Sequence, residues 1–182
     1  SLMLGGTYNV DQVTIYDRHY LTGHGYTEAE FTFNGHCPYI SDYNNNANSG
    51  YYVWESHQLS NYLLDSDYVI NIPALKSHHV ESNAITVALK NHYGSCNPAS
   101  LCGDIPGMLA LNTDPNVKDK TCLVVTSGLK GTYNGGPGEA PQYWWTFPEG
   151  APNTILLTTD PVTNEYWAKD IINLERAHEN HA

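Results

Sequence analysis

Short, mostly apolar runs bounded by turn residues constrain the fold of this chain more than any other feature. The clearest runs are Tyr68–Ile72, which ends at Pro73, and the later Cys122–Thr126 and Ile155–Thr158. Continuous apolar strands are typical of sheets that are covered on both faces. Because helical patterns separate these runs, the sequence predicts an α/β domain with a mainly parallel sheet and flanking helices.

Weaker patterns predict the remaining elements. Strands are expected at Val13–Tyr16 and Tyr51–Trp54, helices at His57–Leu64, Ser82–Asn91 and Ile105–Leu111, and a Gly-rich loop at Gly128–Gly138. Residues 18–50 have little periodicity and are expected to form a long irregular excursion. The length of 182 residues suits a single domain spanning 1–182.

The last helix has the clearest start signal. Asp160 and Pro161 match an N-cap followed by the first helical position. The helix should run to about Ala177. Its apolar residues are expected to face inward, namely Tyr166, Trp167, Ile171 and Leu174.

The charge of the chain excludes several partners. Nineteen acidic residues against eight Lys and Arg give a formal charge of −11, which repels nucleic acid and anionic lipid. No apolar run approaches the roughly 20 residues that a membrane-spanning helix needs. Abundant Tyr and Asn with scarce Lys are typical of exported proteins, so a periplasmic or extracellular location is expected.

The positive groups of the chain are concentrated in residues 76–92. This window holds two of the eight Lys and Arg and three of the nine His. It follows a predicted strand, and in parallel sheets ligands collect beyond the carboxyl ends of strands. The free N–H groups of the next predicted helix would also favour an anion. The sequence therefore predicts a pocket for a small anion, such as a carboxylate or phosphate; the alternative is a solvated loop.

Within this window we assign roles by chemistry. Lys76, His78 and Lys90 are the candidate catalytic residues, as point charges and a proton carrier or metal ligand. His79 and Asn91 are candidate ligand-binding residues. The Gly-rich loop follows a predicted strand and could line the same edge.

Two ordered motifs in this region resemble domain-of-unknown-function family 362. The runs Val69-Ile-Asn-Ile-Pro-Ala-Leu-Lys-Ser-His78 and Ala88-Leu-Lys-Asn-His-Tyr-Gly94 are similar to its strand and helix signatures. Gly135-Gly136-Pro137 and Asp160-Pro161-Val162 resemble later elements. The resemblance covers roughly residues 51–175 and adds Gly135, Gly136 and Asp160 to the candidate ligand-binding residues. The family's usual N-terminal portion is expected to be shortened or absent here.

The resemblance implies little about chemistry. Some members of that family are similar to or fused with ferredoxin-type iron–sulfur modules, and many carry twin-arginine export signals, which implies a redox association. This sequence has no clustered cysteine run for such a cluster. The cofactor is therefore unknown, with a metal ion as one candidate, and the sequence does not decide whether the chain is an enzyme.

Metal and cysteine chemistry have weaker signals. His24, His36 and Cys37 are a candidate metal site whose spacing matches no recognised motif, and exposed loop histidines are the alternative. Cys96 and Cys102 enclose a short loop, for which a disulfide, free thiols and a metal all stay open.

A second function class is a non-catalytic exported component. An aromatic cluster lies between prolines and consists of Tyr143, Trp144, Trp145 and Phe147. It is expected either to fill the core or to form an exposed platform for a glycan or a partner, in a homo-oligomer or larger assembly.

Overall fold

The computed structural model describes residues 14–15, 27–28, 39–41, 51–53, 58–78, 85–97, 105–136 and 139–179. Its strands are β1 (Thr14–Ile15), β2 (Thr27–Glu28), β3 (Tyr39–Ser41), β4 (Tyr51–Val53), β5 (Gln58–Leu59), β6 (Val69–Asn71), β7 (Ala74–Lys76), β8 (Cys96–Asn97), β9 (Thr121–Thr132) and β10 (Thr154–Thr158). Its α-helices are α1 (Asn61–Asp65), α2 (Ala88–Asn91), α3 (Ile105–Thr113), α4 (Pro115–Lys118) and α5 (Pro161–Glu179), and 3₁₀ turns span His92–Ser95 and Pro148–Gly150.

A four-stranded mixed sheet is organised around the long strand β9. Strands β6 and β7 both pair with β9 in parallel, and β10 pairs with it antiparallel. Three two-stranded ladders, β1–β2, β3–β4 and β5–β8, account for the remaining described strands. The α/β class predicted from the sequence is confirmed, with an antiparallel edge strand on a parallel centre.

The helices pack on one face of this sheet. One cluster of buried side chains joins β7 and β9 to α2 and α5 and includes Leu75, Val124, Trp144, Ala168 and Ile172. A second cluster lies around α1, α3 and α4 and contains Leu59, Leu63, Tyr93, Cys96, Ala110, Leu111 and Val117. Residues on both sides of α2 belong to these clusters, so α2 lies between the two parts of the core.

Strand β9 continues through the first five residues of the predicted Gly-rich loop. Gly128 and Gly131 lie inside the strand, and the described turn begins only at Tyr133. The loop prediction was wrong for this half because the glycines serve close packing rather than a turn. A Cβ on Gly131 would lie 2.5 Å from the Leu75 carbonyl oxygen and 3.3 Å from the Trp144 ring.

The predicted helix Ser82–Asn91 is wrong over its described first part. The helix begins at Ala88, and Ile85 instead forms an antiparallel bridge with Ser77. The Thr86 amide donates to the Lys76 carbonyl oxygen at 2.8 Å. Ile85 and Thr86 are β-branched and favour extended backbone, so they pair with the end of β7 and do not form a helix.

Helix α5 begins at the predicted residue, but the residues that face the core differ from those predicted. The Asp160 carboxylate accepts from the Val162 amide at 2.9 Å, which confirms the N-cap. The fully buried positions are Asn164, Ala168, Ile172 and Glu175, whereas Tyr166, Trp167 and Leu174 are more than half exposed. Of the predicted inward residues, only Ile171 packs against the core.

Two polar side chains set this orientation of α5. The Thr126 hydroxyl of β9 donates to the Asn164 Oδ1 atom, and both side chains are buried. Glu175 accepts from the Trp145 amide at 2.6 Å and from the Thr146 amide at 2.9 Å. Burial alone would raise the pKa of Glu175, but hydrogen bonds from Thr146 and Trp145 hold it below its usual value. The buried carboxylate is therefore satisfied as an anion.

Most of the predicted excursion 18–50 lies outside the described residues, so its irregular character stays a prediction. Within the described part of the chain, no helix is both long and apolar enough to cross a membrane.

The packing at Gly131 gives a direct test of the fold. Gly131→Ala should lower the free energy of unfolding by about 2 kcal/mol, because its methyl group would overlap the Leu75 carbonyl oxygen. Chemical denaturation measures this loss. Gly94→Ala is the control, since nothing lies within 4 Å of the added Cβ, and its effect should stay within about 1 kcal/mol. Equal denaturation midpoints for the two variants would contradict this packing.

Candidate functional site

The carboxyl end of β7 carries two of the candidate residues. Lys76 is the last residue of the strand and half-buried, and His78 follows with 4% of its surface exposed. Between them, the Ser77 hydroxyl donates to the Thr132 hydroxyl at 3.1 Å and approaches the Gly135 carbonyl oxygen at 3.3 Å. The structure thus brings the Gly-rich turn beside Lys76 and His78, at the sheet edge that the sequence indicated.

Internal hydrogen bonds hold this Gly-rich turn. The Gln142 Oε1 atom accepts from the amides of Tyr133 and Asn134, each at 2.9 Å. The Gly135 amide donates to Asn134 Oδ1, and Gly135 has a φ of +81°, which glycine adopts without strain. Gly136 is buried. Three successive amides therefore serve the turn itself, and the ammonium group at this edge is that of Lys76 on β7.

Helix α2 places Lys90 in the protein interior. Lys90 is 5% exposed, and its Nζ atom lies 5.7 Å from the centre of the Tyr93 ring, within cation–π range. Asn91 is exposed overall, but its Nδ2 atom donates to Asn71 Oδ1 at 2.7 Å. Asn71 in turn donates to the Ala88 carbonyl oxygen at 2.8 Å. A buried amide on β6 therefore fixes the helix that carries Lys90.

The first turn of α2 is capped by the chain's own acid. The Leu89 amide donates to Glu165 Oε2 at 3.0 Å. Burial raises the pKa of Glu165, and hydrogen bonds from the Leu89, Ala88 and Val87 amides reduce that rise. The expectation that free amides at this helix start attract an anion was wrong, because Glu165 on α5 already occupies them.

A separate cavity of about 220 Å³ lies at the opposite end of the sheet, where β9 begins. Its lining combines polar groups with Val117 and Pro161, and the polar residues are His92, Asn112, Lys118, Thr121, Thr159 and Asp160. The structure therefore separates Asp160 from Lys76 and brings it to the same cavity as His92. The Asp160 carboxylate accepts from the Val162 amide and from the Thr163 hydroxyl at 2.6 Å, and these bonds hold its pKa below its usual value.

His92 is a buried neutral imidazole. It is 5% exposed, and burial lowers its pKa from 6.5 to about 4. Its Nδ1 atom lies 3.5 Å from the Ser95 hydroxyl. At neutral pH the ring can accept or donate a hydrogen bond but contributes no positive charge to the segment.

The aromatic cluster divides between the two predicted roles. Trp144 is fully buried, donates to the Gly131 carbonyl oxygen at 3.1 Å, and packs edge-on against Phe147. Tyr143 and Trp145 are 58% and 65% exposed, and their ring centres lie 4.8 Å apart. Trp144 is therefore core, whereas Tyr143 and Trp145 form an exposed pair.

Several candidates lie outside the described residues, namely His79, His24, His36, Cys37 and Cys102. Their roles, including a Cys96–Cys102 bridge, stay predictions. Cys96 is fully buried, and its thiol lies 3.4 Å from the His92 carbonyl oxygen. Among the side chains that the structure does describe, no group of three or more His, Cys, Asp or Glu is arranged to hold a metal ion.

Sequence reasoning missed two residues that position the candidates, Asn71 and Glu165. A signal existed for Asn71, because a polar residue inside an apolar strand is buried only when it is hydrogen-bonded. Glu165 had no such signal, since it lies 76 positions from the amide that it accepts from.

Comparison with known proteins yields one match. The family model described as "Domain of unknown function (DUF362)" matches residues 7–170, which is most of the chain. No curated protein and no solved structure matches.

The buried His92 predicts a specific pH dependence of stability. Its folded-state pKa is about 4 and its unfolded value is 6.5, so its contribution is complete above pH 6.5 and is lost as the pH falls toward 4. The loss amounts to about 3 kcal/mol at most. Denaturation series at pH 7 and pH 4 should show a smaller drop for His92→Gln than for the wild type.

Asn112→Ala provides the matched control, because it removes a side chain without a titratable group from the lining of the same cavity. Asn112→Ala should keep the wild-type pH dependence. If His92→Gln loses as much stability between pH 7 and pH 4 as the wild type does, His92 is not held neutral by burial.

Proposed function

The chain belongs to the DUF362 family, and we propose that it binds a small anionic ligand, a carboxylate or a phosphate, through Lys76, His78 and Lys90. Asn91, His79 and the Gly135–Gly136 turn would complete the binding segment. The proposal concerns binding, and the three residues become catalytic only if the bound anion is also a substrate.

The burial of Lys90 and His78 is the observation that carries this proposal. Both side chains are at most 5% exposed, in a chain with only eight Lys and Arg residues. The Lys90 ammonium in the interior would interact more strongly with an anion than one in water, because the surroundings screen it less, and the His78 ring can donate a hydrogen bond to the anion. Burying a Lys is also costly, so the burial of Lys90 on α2 favours a functional role over a solvated loop.

The position of Lys76 supports the same site. It ends a strand that is parallel to β9, and ligands of parallel sheets bind beyond such carboxyl ends. Because Lys76 is half-buried, its ammonium can reach solvent while its stem packs along the protein. Ser77 and the Gly135 carbonyl oxygen lie beside it and supply polar groups at hydrogen-bonding distance from each other.

A metal-dependent or redox-associated role would make this proposal more specific. Support for it comes from the resemblance alone, and the candidate ligands His24, His36 and Cys37 lie outside the described residues. Metal analysis of the purified protein by mass spectrometry would test it, and a metal-free protein that still binds the anion would contradict it. An exported location also stays a prediction.

Calorimetric titration with inorganic phosphate and with succinate tests anion binding. Lys76→Met and Lys90→Met should each weaken binding at least tenfold, about 1.4 kcal/mol, because each removes a positive charge and keeps a similar apolar stem. Circular dichroism should show unchanged secondary structure for Lys76→Met, since this side chain is only half-buried.

Lys130→Met is the matched control, because Lys130 is an exposed Lys on β9. The Lys130→Met variant changes the net charge by the same amount and should bind the anion with the same affinity as the wild type. If neither anion binds the wild type, or if all three variants lose affinity equally, the assigned site is wrong.

An exposed aromatic pair favours glycan contact as a second candidate function. Tyr143 and Trp145 are exposed on a segment that Glu175 anchors through the Trp145 and Thr146 amides. Exposed rings on a fixed backbone suit stacking against a sugar, because little conformational entropy is lost on binding.

Tryptophan fluorescence during titration with short β-linked glucose oligosaccharides tests this candidate. Trp145→Ala should abolish the change in emission, whereas Trp167→Ala, which removes a similarly exposed ring from α5, should retain it. A wild-type signal that persists in Trp145→Ala would place the sugar elsewhere.

A further inference from the structure

The main sheet has one face that no described helix covers. Side chains alternate along its strands, so β6, β9 and β10 each send one set of residues into the core and the other set outward. The apolar members of the outward set, called the outer face below, are Ile70, Ile72, Leu123, Val125, Leu129, Ile155 and Leu157, and the neutral Ser127 lies among them opposite Ile155. Five of these seven, all but Leu123 and Val125, are more than half exposed.

Strand pairing makes the outer face continuous. Leu157 lies opposite Val125 across the β9–β10 ladder, and Ile70 lies opposite Leu123 across the β6–β9 ladder. Parallel strands are normally covered on both faces, and contiguous exposed apolar patches of this kind mark interaction sites. The aliphatic residues of the outer face are therefore not scattered surface residues but one patch.

We propose that the outer face is the interface between two copies of this chain. The copies would pack sheet against sheet about a twofold axis, so that the same residues serve both sides. This surface is distinct from the segment proposed to bind an anion, which lies at the carboxyl end of β7.

Charge supports a second copy as the occupant. Each chain has a formal charge of −11, so two copies repel each other wherever charged surfaces meet. None of the seven side chains of the outer face is ionisable. The acidic Asp160 borders Leu123 and Leu157 at the rim of this face, so a copy of the chain can approach through the apolar centre without burying an unpaired charge.

The area is also sufficient. Five aliphatic side chains exposed by more than half, together with Leu123 and Val125, offer on the order of 500 Å² per copy. Two such faces bury about 1,000 Å² in total, which reaches the lower bound for a specific interface. The predicted dimer is therefore of modest affinity, and it should tighten as salt screens the repulsion between the acidic chains.

Sedimentation velocity of the full chain tests the proposal. At tens of micromolar the wild type should sediment with twice the chain mass of 20.2 kDa, and added sodium chloride should raise the dimer fraction. Ile72→Glu and Leu157→Glu should each give a monomer, because they place like charges on both sides of the contact. Both side chains are exposed in the single chain, so thermal melting should show that each variant still folds.

Val162→Glu is the matched control. Val162 is an aliphatic residue of α5 with 61% exposure, comparable to the 64% of Ile72 and Leu157, but it lies outside the outer face. This variant should remain dimeric. A wild type that stays monomeric over this concentration range overturns the proposal, and so does a dimer that survives Ile72→Glu and Leu157→Glu.

Discussion

A single turn of helix, held from both sides by polar side chains, determines where the buried lysine of this domain lies. Helix α2 has four residues, too few to be stable alone. Asn71 on β6 binds the Ala88 carbonyl oxygen and the Asn91 side chain, and Glu165 on α5 accepts from the Leu89 amide. Strand, short helix and long helix are thereby joined into one unit.

This arrangement explains why the two sequence motifs belong together. The strand motif supplies Asn71 and, a few residues later, Lys76 and His78. The helix motif supplies Asn91, which binds Asn71, and Lys90, which the short helix turns into the interior. Burying a cation costs free energy, and here it occurs on a helix whose backbone is held by two polar side chains, Asn71 and Glu165. Departures of this kind from ordinary burial are typical of functional sites.

Local signals predicted much of the fold. Apolar runs located β6, β9 and β10, and Asp160 with Pro161 located the start of α5, because strand burial and helix capping depend on neighbouring residues. The helix predicted for 82–91 is confirmed at Ala88–Asn91 and wrong at Ile85 and Thr86, because these two residues pair with the end of β7, a contact that spacing alone does not reveal. The prediction of which residues of α5 face inward was wrong for a related reason. Asn164 and Glu175 are buried by partners distant in sequence, and their polarity suggested the opposite.

The Lys and His residues of the candidate site could be predicted from the sequence, but the residues that position them could not. The concentration of Lys and His in 76–92 was visible in the sequence, and the structure buries His78 and Lys90 instead of exposing them to solvent. The path of α5 across the sheet places Glu165 at the amides at the start of α2. The same path places Asp160 beside the His92 cavity. Long-range packing of this kind leaves no periodic trace in a sequence.

Amide chemical-shift mapping during a phosphate titration directly tests whether Lys76, His78 and the buried Lys90 bind an anion. Binding at this site should give saturable shifts concentrated at Lys76–His78 and at Ala88–His92, with smaller ones at Gly135 and Gly136. Shifts confined to exposed lysines such as Lys118 and Lys130, growing linearly without saturation, would contradict it.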